Sequence, residues 1–534
     1  MMYHSPSHFV PVMELFSFSS STATMCVLSV IVAVVPLWAM KMLNTLWLRP
    51  KRLEKLLRAQ GLRGDPYSLS LSTSNINHAP QNNLQSQSFV VSDDVAPRLS
   101  LPANNTVAKY GKNSFFWEHT TPKVIITDPN QIKEVFNNIH DFQKPKITGI
   151  AKFLINGLVT YEGDKWVQHR NIIKPAFHLA KLKNMLPAFS QSCHDVIREW
   201  MEMLSSDGKC EIDVFPFLRN LTRDVISRTA FGSSYVEGKK IFQLLKIQGH
   251  LVMTAKYKNT PILRHLPTPT KMKMKAVDKQ MKILIGDMIK KREKTMKNGE
   301  SNNEDLLGML LESNQREMQG SGNSKSNGMT IDEVIGECKL FYLAGQETTS
   351  SLLVWTLIML SRYHEWQTRA REEVLHVFGK QNPNFDGLSQ LKITTMILYE
   401  VLRLYPPTDF IHRTLQKDVE LGNLSLPIGV KVTLPIIVHH QDADIWGNDA
   451  KEFKPERFSE GVAKATKGKV VFYPFGWGPR ICIGQNYVLL EAKVALSLLL
   501  QNFSFELSPV YVHSPTVMLS LQPKHGAPLI LQKL

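Results

Sequence analysis

The sequence predicts a mainly α chain with a few strand regions, preceded by one N-terminal transmembrane helix. Three observations predict it. Ala23 to Met40 is an uncharged apolar run of 18 residues, near the lower limit for spanning a bilayer. Residues 130 to 290 repeat their apolar positions mostly at helical spacing. The stretch from Thr330 to about Leu360 reads as a single helix, which at ~1.5 Å per residue would be about 45 Å long.

In chain order, residues 1 to 22 contain no Lys or Arg, while Lys41, Arg49, Lys51, Arg52, Lys55 and Arg58 follow the apolar run closely. The positive-inside rule then places everything after the run in the cytosol, with Trp38 and Trp47 suited to the interface. This gives a short luminal N-terminus (1–22), a signal anchor (23–42), a basic membrane-proximal segment and linker (43–108) and a main domain (109–534). A cleaved signal peptide would carry its charge on the other side of the run. Residues 49 to 70 are basic and amphipathic enough to lie against a membrane surface. Residues 71 to 107, rich in Ser, Asn and Pro, read as a long loop. A strand-like pattern starts at Lys109 and is clearest at Lys123-Val-Ile-Ile-Thr127. Residues 296 to 329 read as a polar connector rich in Gly, Ser and Asn. Thr330 and Glu333 form a capping box at the start of the long helix. Residues 430 to 440 and 503 to 522 read as strands.

Composition limits the possibilities. Hydrophobic residues make up 43% of the 534-residue chain, enough for a large core; length alone suggests about three domains. The five cysteines, Cys26, Cys193, Cys210, Cys338 and Cys482, are odd in number and scattered. That excludes a disulfide scaffold and a zinc ribbon and fits a reducing compartment. A net charge of +16 suits an anionic partner, but no nucleic-acid module accompanies it, so no nucleic acid is expected.

The chemistry concentrates at Phe475-Gly-Trp-Gly-Pro-Arg-Ile-Cys-Ile-Gly484. Most lone cysteines are core residues. Cys482, however, stands between glycines, just ahead of a strong helix former from Asn486 to Leu500. The free N–H groups of that helix would favour a thiolate. A thiolate is a suitable ligand for haem iron, onto which it pushes electron density. Arg480 is placed to meet a haem propionate. Gly345 sits in the middle of the long helix, where it costs about 1 kcal/mol relative to alanine, as expected where something approaches the backbone closely. Trp166 and Arg170, four apart, share a helix face and can both donate to a carboxylate. Glu400 and Arg403, three apart, can pair. Taken singly, each of these three features would also suit an ordinary packing or surface role.

Together, Phe475, Gly478, Arg480, Cys482 and Gly484 resemble the haem-binding loop of the cytochrome P-450 monooxygenases. Ala344-Gly-Gln-Glu-Thr-Thr349, Glu400-Val-Leu-Arg403, Phe453-Lys-Pro-Glu-Arg-Phe458 and Trp166-Val-Gln-His-Arg170 are similar to further motifs of that family. The resemblance implies the cytochrome P-450 fold, one large helical domain with small β-sheets, so that 109–534 would be a haem-thiolate catalytic domain. It implies haem b ligated by Cys482, with Trp166, Arg170, Arg413 and Arg480 holding the propionates. Glu347 and Thr348 would deliver protons to bound oxygen, and Arg457 would join Glu400 and Arg403 in a buried network. Leu46 to Gly61, Lys123 to Phe136 and Pro175 to Leu179 are similar to a plant microsomal subfamily that includes secologanin synthase and triterpenoid oxidases of legumes.

The expected activity is NADPH- and dioxygen-dependent oxidation of an unactivated carbon of a plant terpenoid, foremost an oleanane-type triterpenoid derived from beta-amyrin. Alternatives are an iridoid or a gibberellin-type diterpenoid, a reductase-independent isomerase or dehydratase, and a non-catalytic haem scaffold. The intact Glu347–Thr348 pair speaks against the isomerase or dehydratase. Ile147, Ile150, Phe153, Leu154, Phe341, Phe410 and Ile411 are expected to line an apolar substrate pocket, with Asp409 facing either the pocket or solvent. Expected partners are an NADPH-cytochrome P-450 reductase, a hydrophobic small molecule and the endoplasmic reticulum membrane, which the chain would cross once with its catalytic domain cytosolic. Lys174, Lys181, Lys183, Lys464, Lys467 and Lys469 are expected to form the reductase-docking face.

Overall fold

The predicted long helix is the axis of the molecule, running from Ile331 to Arg362. The computed structural model describes residues 32, 34–69, 99, 102–147, 149–232, 235–256, 268–299, 305–319 and 328–534. The capping box starts the helix as expected: Glu333 N donates to Thr330 Oγ1 at 3.3 Å, and Thr330 N donates to Glu333 Oε2 at 2.8 Å. From Thr349 to Ser361 every residue is buried, so this half passes through the core rather than along the surface. Helices Val214–Phe231, Lys392–Leu404 and Gln485–Asn502 pack against it.

A smaller β region lies to one side. Its five strands run in the order Phe115–Glu118, Thr121–Ile125, Lys431–Pro435, Phe410–Leu415, Phe142–Gln143. The second and third pair in parallel and the other pairs are antiparallel. Helix Arg49–Ala59 lays Leu53 and Leu57 into the same cluster as Phe115 and Val432. The apolar face of this basic segment is therefore occupied by the protein, with Arg52, Lys55 and Arg58 outward. A three-stranded sheet joins Lys209–Asp213, Pro528–Lys533 and Phe503–Leu507.

Glu400 and Arg403 meet at 2.7 Å, both side chains fully buried, and Arg457 Nε lies 3.4 Å from Glu400 Oε1. The carboxylate also accepts from Lys454 N at 2.8 Å, and Arg403 donates to His440 O at 2.7 Å. The network therefore ties three distant stretches of chain together under the core.

Several expectations are corrected. The connector at 296–329 contains a helix, Leu306–Gln319, that buries Leu306, Leu307, Leu310 and Leu311; Gly308 N donates to Asp305 Oδ1 at 2.7 Å in its first turn. The apolar run outweighs the polar flanks. Lys109 lies in a helix, Pro102–Tyr110, rather than a strand, with Pro102 at the position where its missing N–H costs least. This helix also takes the end of the expected 71–107 loop, the remainder of which, apart from Leu99, lies outside the described residues. The strand expected over 430–440 stops at Pro435 and continues as helix Ile436–His440.

Of the expected anchor, 23–31 and 33 lie outside the described residues, and among the described residues no helix is long and apolar enough to cross a membrane. The chain is helical from 34 into Arg49–Ala59, and Val34, Val35, Leu37, Trp38 and Met40 are exposed.

Candidate active site

A cavity of about 370 Å³ opens between the long helix, helix Gly163–Ile173, the strand around Ile411 and Arg413, and the 474–488 segment. The Cys482 loop is held by its own backbone. Cys482 N donates to Phe475 O at 2.8 Å, and Gly476 and Gly478 take φ of 73° and 68°, a region that L side chains avoid. A side chain at Gly478 would also press within 3.2 Å of Phe136 O. Helix Gln485–Asn502 then starts three residues after Cys482, with no side chain capping it, so its first N–H groups remain available on the cysteine side. Cys482 is exposed to the cavity, yet desolvation by the surrounding protein raises the thiol above its ordinary pKa, while a hydrogen bond from Gly484 N and the charges of Arg170 and Lys144 pull the other way.

One rim of the cavity is strongly cationic. Arg170, Arg413 and Arg480 line it, as expected, together with Trp166. Helix Gly163–Ile173 presents Trp166 and Arg170; Arg413 lies on the five-stranded sheet, opposite Val432. Trp166 lies under Arg480, whose guanidinium is 4.1 Å from the ring, and 5.8 Å from Arg170. Arg170 donates to Ile481 O at 3.0 Å, fastening its helix to the Cys482 loop. Lys144 joins this rim and was not foreseen. It donates to Val159 O at 3.0 Å, and burial together with Arg480 and Arg413 pulls its pKa down to about 7. Burial likewise holds Arg413 down at about 10. Against these four cations stands Glu162, which pairs with Arg480.

This donor set fits haem b. The four cations, opposed by Glu162, suit the two carboxylates of a flat apolar ring. Cys482 in the same cavity offers the thiolate. No local spacing marks Lys144 in the sequence; it reaches the site because strand Phe142–Gln143 pairs with Phe410–Leu415, which carries Arg413.

On the long helix, Thr348 lines the cavity and donates through Oγ1 to Ala344 O at 2.8 Å. Glu347 is not among the lining residues. Its carboxylate accepts from Gln346 Nε2 at 2.6 Å and meets Arg219 at 3.4 Å. What approaches Gly345 is Ile226 of helix Val214–Phe231: a Cβ there would stand 2.8 Å from Ile226 Cδ1. Among the expected pocket residues, Phe341 and Ile411 line the cavity. Ile147 and Phe410 are not among the lining residues, and Leu154 packs with Val252 and Met274, with Ile150 and Phe153 beside them. Asp409 is buried rather than turned to solvent and lies outside the lining.

The cytochrome P450 family model matches residues 101–528. The chain is 63% identical over 519 residues to an 11-oxo-beta-amyrin 30-oxidase of Glycyrrhiza uralensis, covering 97% of this chain and 99% of that protein. It is 62% identical to a protein of the same name from Medicago truncatula, covering 98% and 100%. In fold it is similar to a retinoic acid-bound cyanobacterial CYP120A1, with a TM-score of 0.69 at 23% identity, over 81% of this chain and 94% of that one.

Proposed function

The chain belongs to the cytochrome P450 family of haem-thiolate monooxygenases, and from that premise we propose that it oxidises an unactivated carbon of an oleanane-type triterpenoid related to 11-oxo-beta-amyrin. The observation that carries the substrate class is the near full-length similarity to two 11-oxo-beta-amyrin 30-oxidases. The cavity agrees with it: beside the cationic rim its walls are apolar, with Leu158, Val159, Ile226, Phe341, Ile411 and Phe177 among them. A rigid hydrocarbon skeleton needs such walls.

Bound haem supplies the reductive activation of dioxygen. The protein's share is to hold and direct. Cys482 Sγ would ligate the iron, while Arg170, Arg413, Arg480, Trp166 and Lys144 would hold the carboxylates of the ring. Thr348 Oγ1, beside the reacting space, would hold and pass a proton. Glu347, linked to Arg219 and Gln346, would replenish it. The packing of Phe341 and Ile411 would exclude water and set the orientation of the skeleton.

Electrons would come from NADPH through a separate reductase. Lys174, Lys181, Lys183, Lys464, Lys467 and Lys469 are all exposed; Arg170, near the first of them, touches the Cys482 loop. An acidic flavoprotein would find complementary charge there. The apolar N-terminal run would anchor the chain once in the endoplasmic reticulum membrane with the catalytic domain cytosolic.

Titrating microsomes with 11-oxo-beta-amyrin tests the reading. A saturable change in the haem spectrum, with product formed only when NADPH and reductase are present, is expected. A normal carbon monoxide spectrum without either response would reject this substrate class.

A further inference from the structure

Leu158 and Val159, within the stretch 153–161, form one wall of the cavity. This stretch follows a short 3-10 turn, Gly149–Phe153, and contains neither a long helix nor a strand. Charged side chains hold it instead. From the long helix, Lys339 Nζ donates to Phe153 O and pairs with Asp278 at 2.6 Å. Glu337 Oε2 accepts from Leu158 N at 3.0 Å. From the cationic rim, Lys144 donates to Val159 O at 3.0 Å and Arg480 to Tyr161 O at 2.8 Å.

Glu337 is the centre of this arrangement. Its side chain is 0% exposed and its other oxygen meets His169 Nδ1 at 2.7 Å, with His169 only 1% exposed. A buried carboxylate persists only where its oxygens are paired; here one is held by the wall and the other by the helix that carries Trp166 and Arg170. Gly157 permits the approach, since a Cβ there would stand 2.7 Å from Glu337 Oε2, and its φ is +92°.

We infer that Glu337, with His169 as its buried partner, is a positioning residue that fixes the Leu158–Val159 wall to the long helix and thereby sets which carbon of the substrate is presented for oxidation. The selectivity half rests on the function proposed above; the structural half rests on the hydrogen bonds alone. The same carboxylate also holds the helix of the cationic rim, so the wall and the ring-holding residues move as one unit.

Hydrogen exchange on the full-length, haem-loaded protein in nanodiscs reads this directly at the Leu158 amide. Glu337→Leu removes both acceptors and is expected to speed that exchange ~10-fold or more, the size of one lost buried hydrogen bond to a charged group. Peptides from 349–361 should stay protected. Glu337→Gln keeps an oxygen acceptor and is expected to stay near the wild-type rate. With 11-oxo-beta-amyrin as probe, Glu337→Leu should also alter the ratio of oxidised products.

Unchanged exchange in Glu337→Leu would overturn the inference. Faster exchange with an unchanged product ratio would overturn its selectivity half. If Glu337→Leu does not retain haem, the wild type and Glu337→Gln decide: a Leu158 amide that exchanges like an exposed loop in the wild type overturns it, and protection in both supports it. A wild type with the expected protection but no product from the probe would instead count against the proposed substrate.

Discussion

At the residue scale, the proposed chemistry centres on Cys482, and the geometry of its loop was legible because everything that shapes it is local. The positive-φ glycines, the loop closed onto Phe475 O and the uncapped helix start all lie within about a dozen residues. Cys482→Ser is therefore expected to abolish the thiolate-type carbon monoxide band while leaving the fold intact, as difference spectroscopy on microsomes would show; an unchanged band would remove Cys482 as ligand. Thr348→Ala is expected to keep that band but release more peroxide per NADPH consumed.

Lys144 was not legible, because its importance arises from strand pairing that sequence spacing does not encode. Its folded pKa of about 7 lies below the ordinary lysine value of 10.5. Between these values the unfolded chain binds the proton that the folded chain has released, so this residue makes the haem-free protein more stable as pH rises from about 7 towards 10.5. Its melting temperature should rise between pH 7 and 9, and rise less in Lys144→Met. Binding a dianion should remove that difference, and Lys144→Met should lose haem faster than the wild type. Gly345 gives a packing counterpart. Gly345→Ala would overpack against Ile226 at a cost of ~1–3 kcal/mol, and adding Ile226→Ala should recover part of it in thermal denaturation.

Among the elements, the long helix was readable from its ends because the capping box is a local signal with a physical cause. Helix Leu306–Gln319 was missed for the opposite reason: its flanks are polar and glycine-rich, and only burial of four leucines in a shared core stabilises it. The same limit applies to 430–440, where Pro435 ends the strand and tertiary packing continues it as a helix. The Glu400–Arg403–Arg457 network was anticipated from motif order. Spacing alone would not have revealed that two of its members are completely buried. Glu400→Ala leaves Arg403 uncompensated, which costs ~3–5 kcal/mol. Its expected signature is loss of folded, haem-loaded protein rather than a change in product.

The whole molecule combines an exposed apolar N-terminal helix, a helical core and the exposed lysines Lys174, Lys181, Lys183, Lys464, Lys467 and Lys469. The substrate depends on the shape of a cavity whose walls come from many distant stretches of chain, between Phe136 and Val488. Phe341 and Ile411 were foreseen among them; Val159 and Ile226 were not, because their approach is set by Lys144 and the tight crossing at Gly345. Neutralising Lys174, Lys181 and Lys183 together with Lys464, Lys467 and Lys469 should slow reductase-supported turnover and flatten its salt dependence, with the haem spectrum unchanged.

The most direct test of the central claim is metabolite profiling of yeast that makes 11-oxo-beta-amyrin together with this protein and a plant NADPH reductase. A new oxidised triterpenoid that disappears without the reductase, or with Cys482→Ser, is the expected result. A normal carbon monoxide band in the same cells with no new triterpenoid would contradict it.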